Sequence, residues 1–153
     1  IESGDISRVR FLSWFADLDE LDDEGVSYLA KSASWERAAI AEYFLNQGAS
    51  LNSEKDIFGG TPLTAAAWTG NYEMMEMFIK AGANPNIKKN DGLTPLMLSV
   101  VSNCAECVKL LIKADVNRDA KNSDGKTALE MAHVLGDGSD IEFDHEIISL
   151  LKD

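Results

Sequence analysis

Residues 59–86 read Gly59-Gly60-Thr61-Pro62-Leu63-Thr64-Ala65-Ala66-Ala67-Trp68-Thr69-Gly70-Asn71-Tyr72-Glu73-Met74-Met75-Glu76-Met77-Phe78-Ile79-Lys80-Ala81-Gly82-Ala83-Asn84-Pro85-Asn86, and this stretch decides the fold. Thr61 is placed to cap a helix with its hydroxyl, and Pro62 sits at the first helical position, where a missing N–H costs nothing. Leu63, Ala66 and Ala67 form a narrow apolar stripe whose small side chains admit a neighbouring helix. Gly70 breaks that helix. Met74, Met75, Phe78 and Ile79 then recur at i, i+1, i+4 and i+5, the stripe of a second amphipathic helix. Gly82 falls where a left-handed residue ends it.

The pattern returns at Leu93-Thr94-Pro95-Leu96, 33 residues on, and at Lys126-Thr127-Ala128-Leu129 after another 33. Val26-Ser27-Tyr28-Leu29 precedes it by 34. A period of 33 carrying Thr-Pro-Leu-x-x-Ala is the signature of ankyrin repeats, and the chain resembles that family over nearly its whole length. The resemblance implies an all-α fold, a solenoid of stacked helix-turn-helix units with hairpin-like inter-repeat turns. Residues 1–153 are expected to form one domain. Its expected parts are a partial N-terminal repeat or cap at 1–24, repeats at 25–55, 56–88 and 89–121, and a C-terminal capping repeat at 122–153.

Several positions depart from the family pattern. Gly4 and the apolar Val9, Phe11 and Leu12 read as the second helix of a repeat without its first. Because the chain starts at Ile1 rather than Met, it is expected to have been trimmed. Tyr28 replaces the Pro, and Glu36 replaces the Gly between helices. Asp115 stands where Gly82 would fall, so a left-handed Asp and a slightly altered turn are expected there. The second helix of the last repeat, Glu146 to Leu151, comes about seven residues late, which places an acidic loop at 137–144. The His that the family favours after Thr-Pro-Leu is replaced by Ala30, Thr64, Met97 and Glu130. Stability is therefore expected to lean on packing more than on hydrogen bonds between repeats.

The formal net charge is −12, from 26 acids and 14 bases. This argues against nucleic acid and anionic membrane surfaces and favours a basic protein partner, although acidity also serves plain solubility. No run approaches a membrane span. The compartment is taken as cytoplasmic by default, with periplasmic or secreted settings left open by the missing Met, and a monomer is expected. Asp17, Asp19, Glu20, Asp22, Asp23 and Glu24 put six acids into eight residues. They read as a solvated loop or a patch for a basic partner. Their spacing does not fit a calcium loop.

Catalytic signatures are absent from the sequence: it has no phosphate-binding loop, no zinc-protease motif and no nucleophile elbow. Cys104 and Cys107 have C-x-x-C spacing, yet they read as packed thiols, since a redox motif wants a βαβ setting. His133 reads as a packing residue between repeats, and His145 lacks a nucleophile beside it. No enzyme activity, metal or cofactor is expected.

The family resemblance implies a concave binding groove built from hairpin tips and the exposed positions of first helices. The tip positions are Glu24 and Val26, then Ile57, Phe58 and Gly60, then Asp91 and Leu93, then Lys126. The helix positions are Ser34 and Trp35, Trp68 and Thr69, Val101 and Ser102, and Val134 and Leu135. The expected partner-binding residues are Glu24, Val26, Trp35, Ile57, Phe58, Trp68, Thr69, Leu93, Val101 and Ser102. Aromatic anchors at such positions point to an interaction surface, the other reading being packing against neighbouring repeats. The expected function is a non-catalytic module that binds a folded protein. The alternative is an acidic inhibitor or immunity-type protein that blocks a basic enzyme such as a nuclease. A metal-dependent enzyme built on the acidic patches is the third reading.

Overall fold

Four hydroxyls start the first helix of each pair. Ser27, Thr61, Thr94 and Thr127 accept the backbone N–H three residues on, at 3.2, 3.3, 3.3 and 3.3 Å. Each satisfies a donor that the first turn of a helix leaves unpaired. Thr61 and Thr127 close reciprocal capping boxes, because Thr64 Oγ1 and Glu130 Oε2 accept their backbone N–H groups, both at 2.7 Å.

A computed structural model describes residues 18, 20–52, 60–138 and 143–152. Among them the helices are α1 (Tyr28–Ser34), α2 (Ala38–Asn46), α3 (Pro62–Thr69), α4 (Tyr72–Lys80), α5 (Pro95–Val101), α6 (Ala105–Lys113), α7 (Ala128–Gly138) and α8 (His145–Lys152). The fold is all-α, built from helix-turn-helix pairs. First helices stack in the order α1, α3, α5, α7, and second helices α4, α6 and α8 stack beside them.

Two left-handed residues shape each of the first three pairs. Glu36, Gly70 and Asn103 (φ 56°, 68° and 55°) turn the chain between helices. Gly48, Gly82 and Asp115 (φ 89°, 96° and 55°) end the second helices. Asp115 does take the left-handed conformation that the sequence leads one to expect. Between pairs the chain makes hairpin turns, closed by Asp22 N–H to Val26 O at 2.9 Å, Lys89 N–H to Leu93 O at 2.9 Å and Asn122 N–H to Lys126 O at 3.0 Å.

The core repeats with the same period. Ala33, Ala67 and Val100 are fully buried, as are Leu29, Leu63 and Leu96 under the neighbouring first helices. Phe78 and Leu111 fill equivalent places on second helices. Each such large side chain contributes roughly 1.5–3 kcal/mol by leaving water. The series breaks at His133, which occupies the place of Val100 one period on but is exposed. The packing role expected for His133 is therefore corrected. Among the described residues no further first helix lies beyond α7 to cover it.

Asn side chains carry several of the hydrogen bonds between repeats. Asn52 Oδ1 accepts Asn84 N–H at 2.7 Å, and Asn86 Oδ1 accepts Asn117 N–H at 2.8 Å. Asn103 Oδ1 accepts Asp144 N–H at 2.9 Å and ties the start of the last helix to the third pair. The acidic insertion is only partly a loop. Asp137 and Gly138 prolong α7, Phe143 is buried, and residues 139–142 lie outside the described residues. The partial repeat expected at the N-terminus also lies largely outside them.

The two cysteines are not free thiols. Cys104 and Cys107 are joined in a disulfide with their Cα atoms 5.2 Å apart. Cys104 is the N-cap of α6 rather than a residue within it, and one helical turn brings Cys107 back over it.

Candidate partner-binding surface

The last turn of each first helix points one residue away from its neighbours. Counting seven residues from the capping hydroxyl gives Trp68 in α3, Val101 in α5 and Val134 in α7. These three are the exposed large hydrophobic side chains among the described residues, at 60, 38 and 56 % exposure. The repeat explains why they line up. The same helix position recurs on stacked helices, and the stack cannot cover it from either side.

Val134 stood among the positions that the family pattern exposes, but only the structure shows how bare it is. Its signal was present in the spacing, 33 residues beyond Val101. The same count from Ser27 gives the exposed Ser34, so α1 adds no large hydrophobic to the series. Trp35, one place further and equivalent to Thr69, is half-buried at the end of α1. Lys31 Nζ lies 5.2 Å from the centroid of its ring, a cation–π contact that occupies one face of the indole.

Lys31 is held in turn by the first hairpin turn. It pairs with Asp22 and, at 2.8 Å, with Glu24. These hydrogen bonds raise its pKa, chiefly the one to Asp22 and then the one to Glu24, against the opposing effect of desolvation. Burial pushes the Asp22 carboxyl up, but the Lys31 ammonium and the N–H groups of Val26 and Glu24 outweigh it and hold the group below its ordinary range. Part of the acidic turn thus organises the turn itself. Asp17 and Asp19 lie outside the described residues.

The remaining expected residues separate by what they touch. Glu24 is exposed at its side chain even while paired, and Val26 is half-buried at the rim of a groove. The Thr69 hydroxyl donates within its own helix, to Ala66 O at 3.1 Å. The Ser102 hydroxyl lies 3.0 Å from Ala67 O, so it binds one repeat to the next. Leu93 is half-buried and packs against the core. Ile57 and Phe58 lie outside the described residues.

Trp68 also lines a groove of about 250 Å³ that crosses three first helices. Ala30 and Ser34 come from α1, Thr64 and Ala65 from α3, and Leu98 from α5; Lys89 closes it from the second described hairpin turn. Small residues at 30, 34 and 65 leave this space open. Lys89 also lies 3.5 Å from Asp91, so the rim carries both signs of charge. Among the described residues no group of three or more His, Cys, Asp or Glu is placed to hold a metal ion. None of their helices is long and apolar enough to cross a membrane.

Comparison with known proteins follows the same pattern. A family model described as "Ankyrin repeats (3 copies)" matches residues 1–89 and again residues 79–151. "Ankyrin repeat and KH domain-containing protein mask-1" of Caenorhabditis elegans is 35% identical over 78 residues, 51% of this chain. "Palmitoyltransferase Hip14" of Drosophila melanogaster is 34% identical over 92 residues, 58% of this chain. The matched stretches cover 3% and 14% of those two proteins, so the KH domain and the palmitoyl transfer that their names carry belong to them.

Proposed function

The chain belongs to the ankyrin repeat family, and on that premise we propose that it binds a folded protein across the face formed by its first helices and hairpin turns. The observation that carries this reading is the ladder of Trp68, Val101 and Val134, which holds all the exposed large hydrophobics among the described residues. Scattered apolar residues on a surface need no explanation, but a row along one face marks a place to exclude water against a partner. Trp68 is the central anchor, since a large aromatic beside a groove is the residue type that dominates binding energy. Glu24 stands at one end of the same face as a rim charge.

The partner is read as basic. A net charge of −12 steers a positively charged surface toward the chain and speeds encounter. The same charge supports a second reading, an inhibitor that occludes a basic enzyme. The repeat boundaries at 25–55, 56–88, 89–121 and 122–153 are part of the proposal, because they place one ladder residue in each complete unit after the first.

The test is affinity capture from native-source extract with the wild type, a Trp68→Ala, Val134→Ala variant and a Glu76→Ala, Lys80→Ala control on α4. A protein retained by the wild type and the control but lost by the ladder variant supports the reading. A protein retained equally by all three overturns it. Saturating the captured protein, if it is an enzyme, then separates inhibition from simple docking.

A further inference from the structure

We propose that the Cys104–Cys107 pair is a thiol–disulfide exchange site, which takes thiols as its substrate class and uses Cys104 as the attacked sulfur. The sequence Cys104-Ala105-Glu106-Cys107 opens α6, a helix of nine residues. Cys104 is its N-cap, and its Sγ accepts the Cys107 N–H at 3.2 Å. The two sulfurs have different surroundings. Cys107 is fully buried, with its Sγ 3.5 Å from the Gly70 carbonyl oxygen of the preceding pair. Cys104 is half-buried at the helix end, so an incoming thiol can reach it and not its partner.

Neither capping nor packing accounts for two cysteines here. One period earlier Asn71 does the same capping, with Oδ1 accepting Met74 N–H at 3.0 Å, and Met74 fills the buried place. Sulfur is the weaker acceptor, so Cys104 makes a poorer cap than Asn71 does. A disulfide between residues three apart also closes a very short loop, where the restraint on the unfolded chain is smallest. What the pair adds is reactivity.

The helix supplies the electrostatics. A thiolate at Cys104 faces the Cys107 N–H and the positive end of the α6 dipole, which lowers its proton affinity. Glu106 lies 2.9 Å from Lys109, and Lys109 also holds Glu146 at 2.9 Å.

The exchange balances in two steps. A thiolate attacks Cys104 Sγ; the new S–S bond forms as the Cys104–Cys107 bond breaks, and Cys107 leaves as a thiolate and takes up a proton. A second thiolate then attacks the incoming group's sulfur and releases Cys104 as the stabilised thiolate. Two thiols become one disulfide, and the protein disulfide becomes a dithiol. The cap survives, because sulfur still accepts the Cys107 N–H in either state.

The test equilibrates the full chain with glutathione buffers of varied reduced-to-oxidised ratio and, separately, with dithiothreitol. Alkylation without denaturant, followed by mass measurement, then counts the thiols. The expected result is Cys104 gaining label without denaturant as the ratio rises, with an unchanged far-ultraviolet spectrum, and the buried Cys107 gaining an equal second label only when the quenched sample is unfolded. Reduction by glutathione assigns small monothiols as substrates, and reduction by dithiothreitol alone assigns dithiols. Oxidised glutathione should form a mixed disulfide on Cys104 of the Cys107→Ser variant. Cys107 of the Cys104→Ser variant should react at least ~10-fold more slowly. The proposal is overturned if the disulfide never forms in any buffer. It is equally overturned if Cys104 labels only after guanidinium unfolding, or if the two single cysteines react at equal rates.

Discussion

The hydroxyl of Ser102 meets the carbonyl oxygen of Ala67 at 3.0 Å, one residue beyond Val101 on α5 and one residue before Trp68 on α3. This bond joins two stacked first helices at the edge of the exposed ladder. It also shows how narrowly binding and structural positions are divided. Neighbouring residues on one helix end serve water exclusion in one case and inter-repeat cohesion in the other.

Ser102→Ala should therefore lower stability by about 1 kcal/mol, the net worth of one hydrogen bond. The midpoint of urea unfolding checks this. Binding by the ladder should survive the change, since the hydroxyl faces Ala67 rather than solvent.

Trp68→Ala should do the opposite. With 60 % of the residue already in water, its loss should change stability by no more than about 0.5 kcal/mol. Affinity for the captured partner should fall by about 2 kcal/mol or more, as read by calorimetric titration. A large loss of stability with unchanged affinity would place Trp68 in the core instead.

Glycines at two turns should respond unequally. At Gly92 (φ 78°) an added Cβ would meet Asn122 Cα and Ser123 N, both at 2.9 Å, and these are backbone atoms of the next turn that cannot step aside. At Gly82 (φ 96°) the same Cβ meets nothing within 4 Å, leaving only the conformational cost. Gly92→Ala should thus unfold at clearly lower urea than Gly82→Ala, while both fall below the wild type.

Asp115 holds a left-handed conformation (φ 55°) that Gly82 holds in the preceding repeat. Asp115→Gly relieves the Cβ cost and should stabilise the chain, by up to about 1 kcal/mol. Thermal unfolding in parallel with the wild type reads the sign.

Acid should loosen the first hairpin turn. The Asp22 carboxyl is held below its ordinary value of 3.8, so its contribution is complete above that value and is lost as pH falls through the lower folded one. Backbone and side-chain hydrogen bonds with Thr127 hold the Glu130 carboxyl low too, which puts the same dependence at the start of α7. Between about pH 5 and about pH 2, Asp22→Asn should therefore lose less stability than the wild type.

The sequence by itself determined the helices, their caps and their period. These features are local: a hydroxyl before a proline, an apolar stripe within one helix, a glycine where φ turns positive. The pattern even carried the exceptions, since Glu36, Asn103 and Asp115 adopt the left-handed conformation at the places where glycines were missing. Burial at the edges was decided by tertiary structure, because it depends on which repeat stands beside a residue. Trp35 and Trp68 both stand at the end of a first helix, one place apart in the motif, yet Lys31, fixed by Asp22 and Glu24, lies over the first while the second stays 60 % exposed. Ser102 and Thr69 looked like surface hydroxyls, and both turned inward to carbonyls. Val100 and His133 share a register but not an environment, for only one has a first helix packed beyond it. Cys104 and Cys107 were legible as a spacing. Their bond came from the helix starting at Ala105, where one turn of α6 sets the two sulfurs side by side.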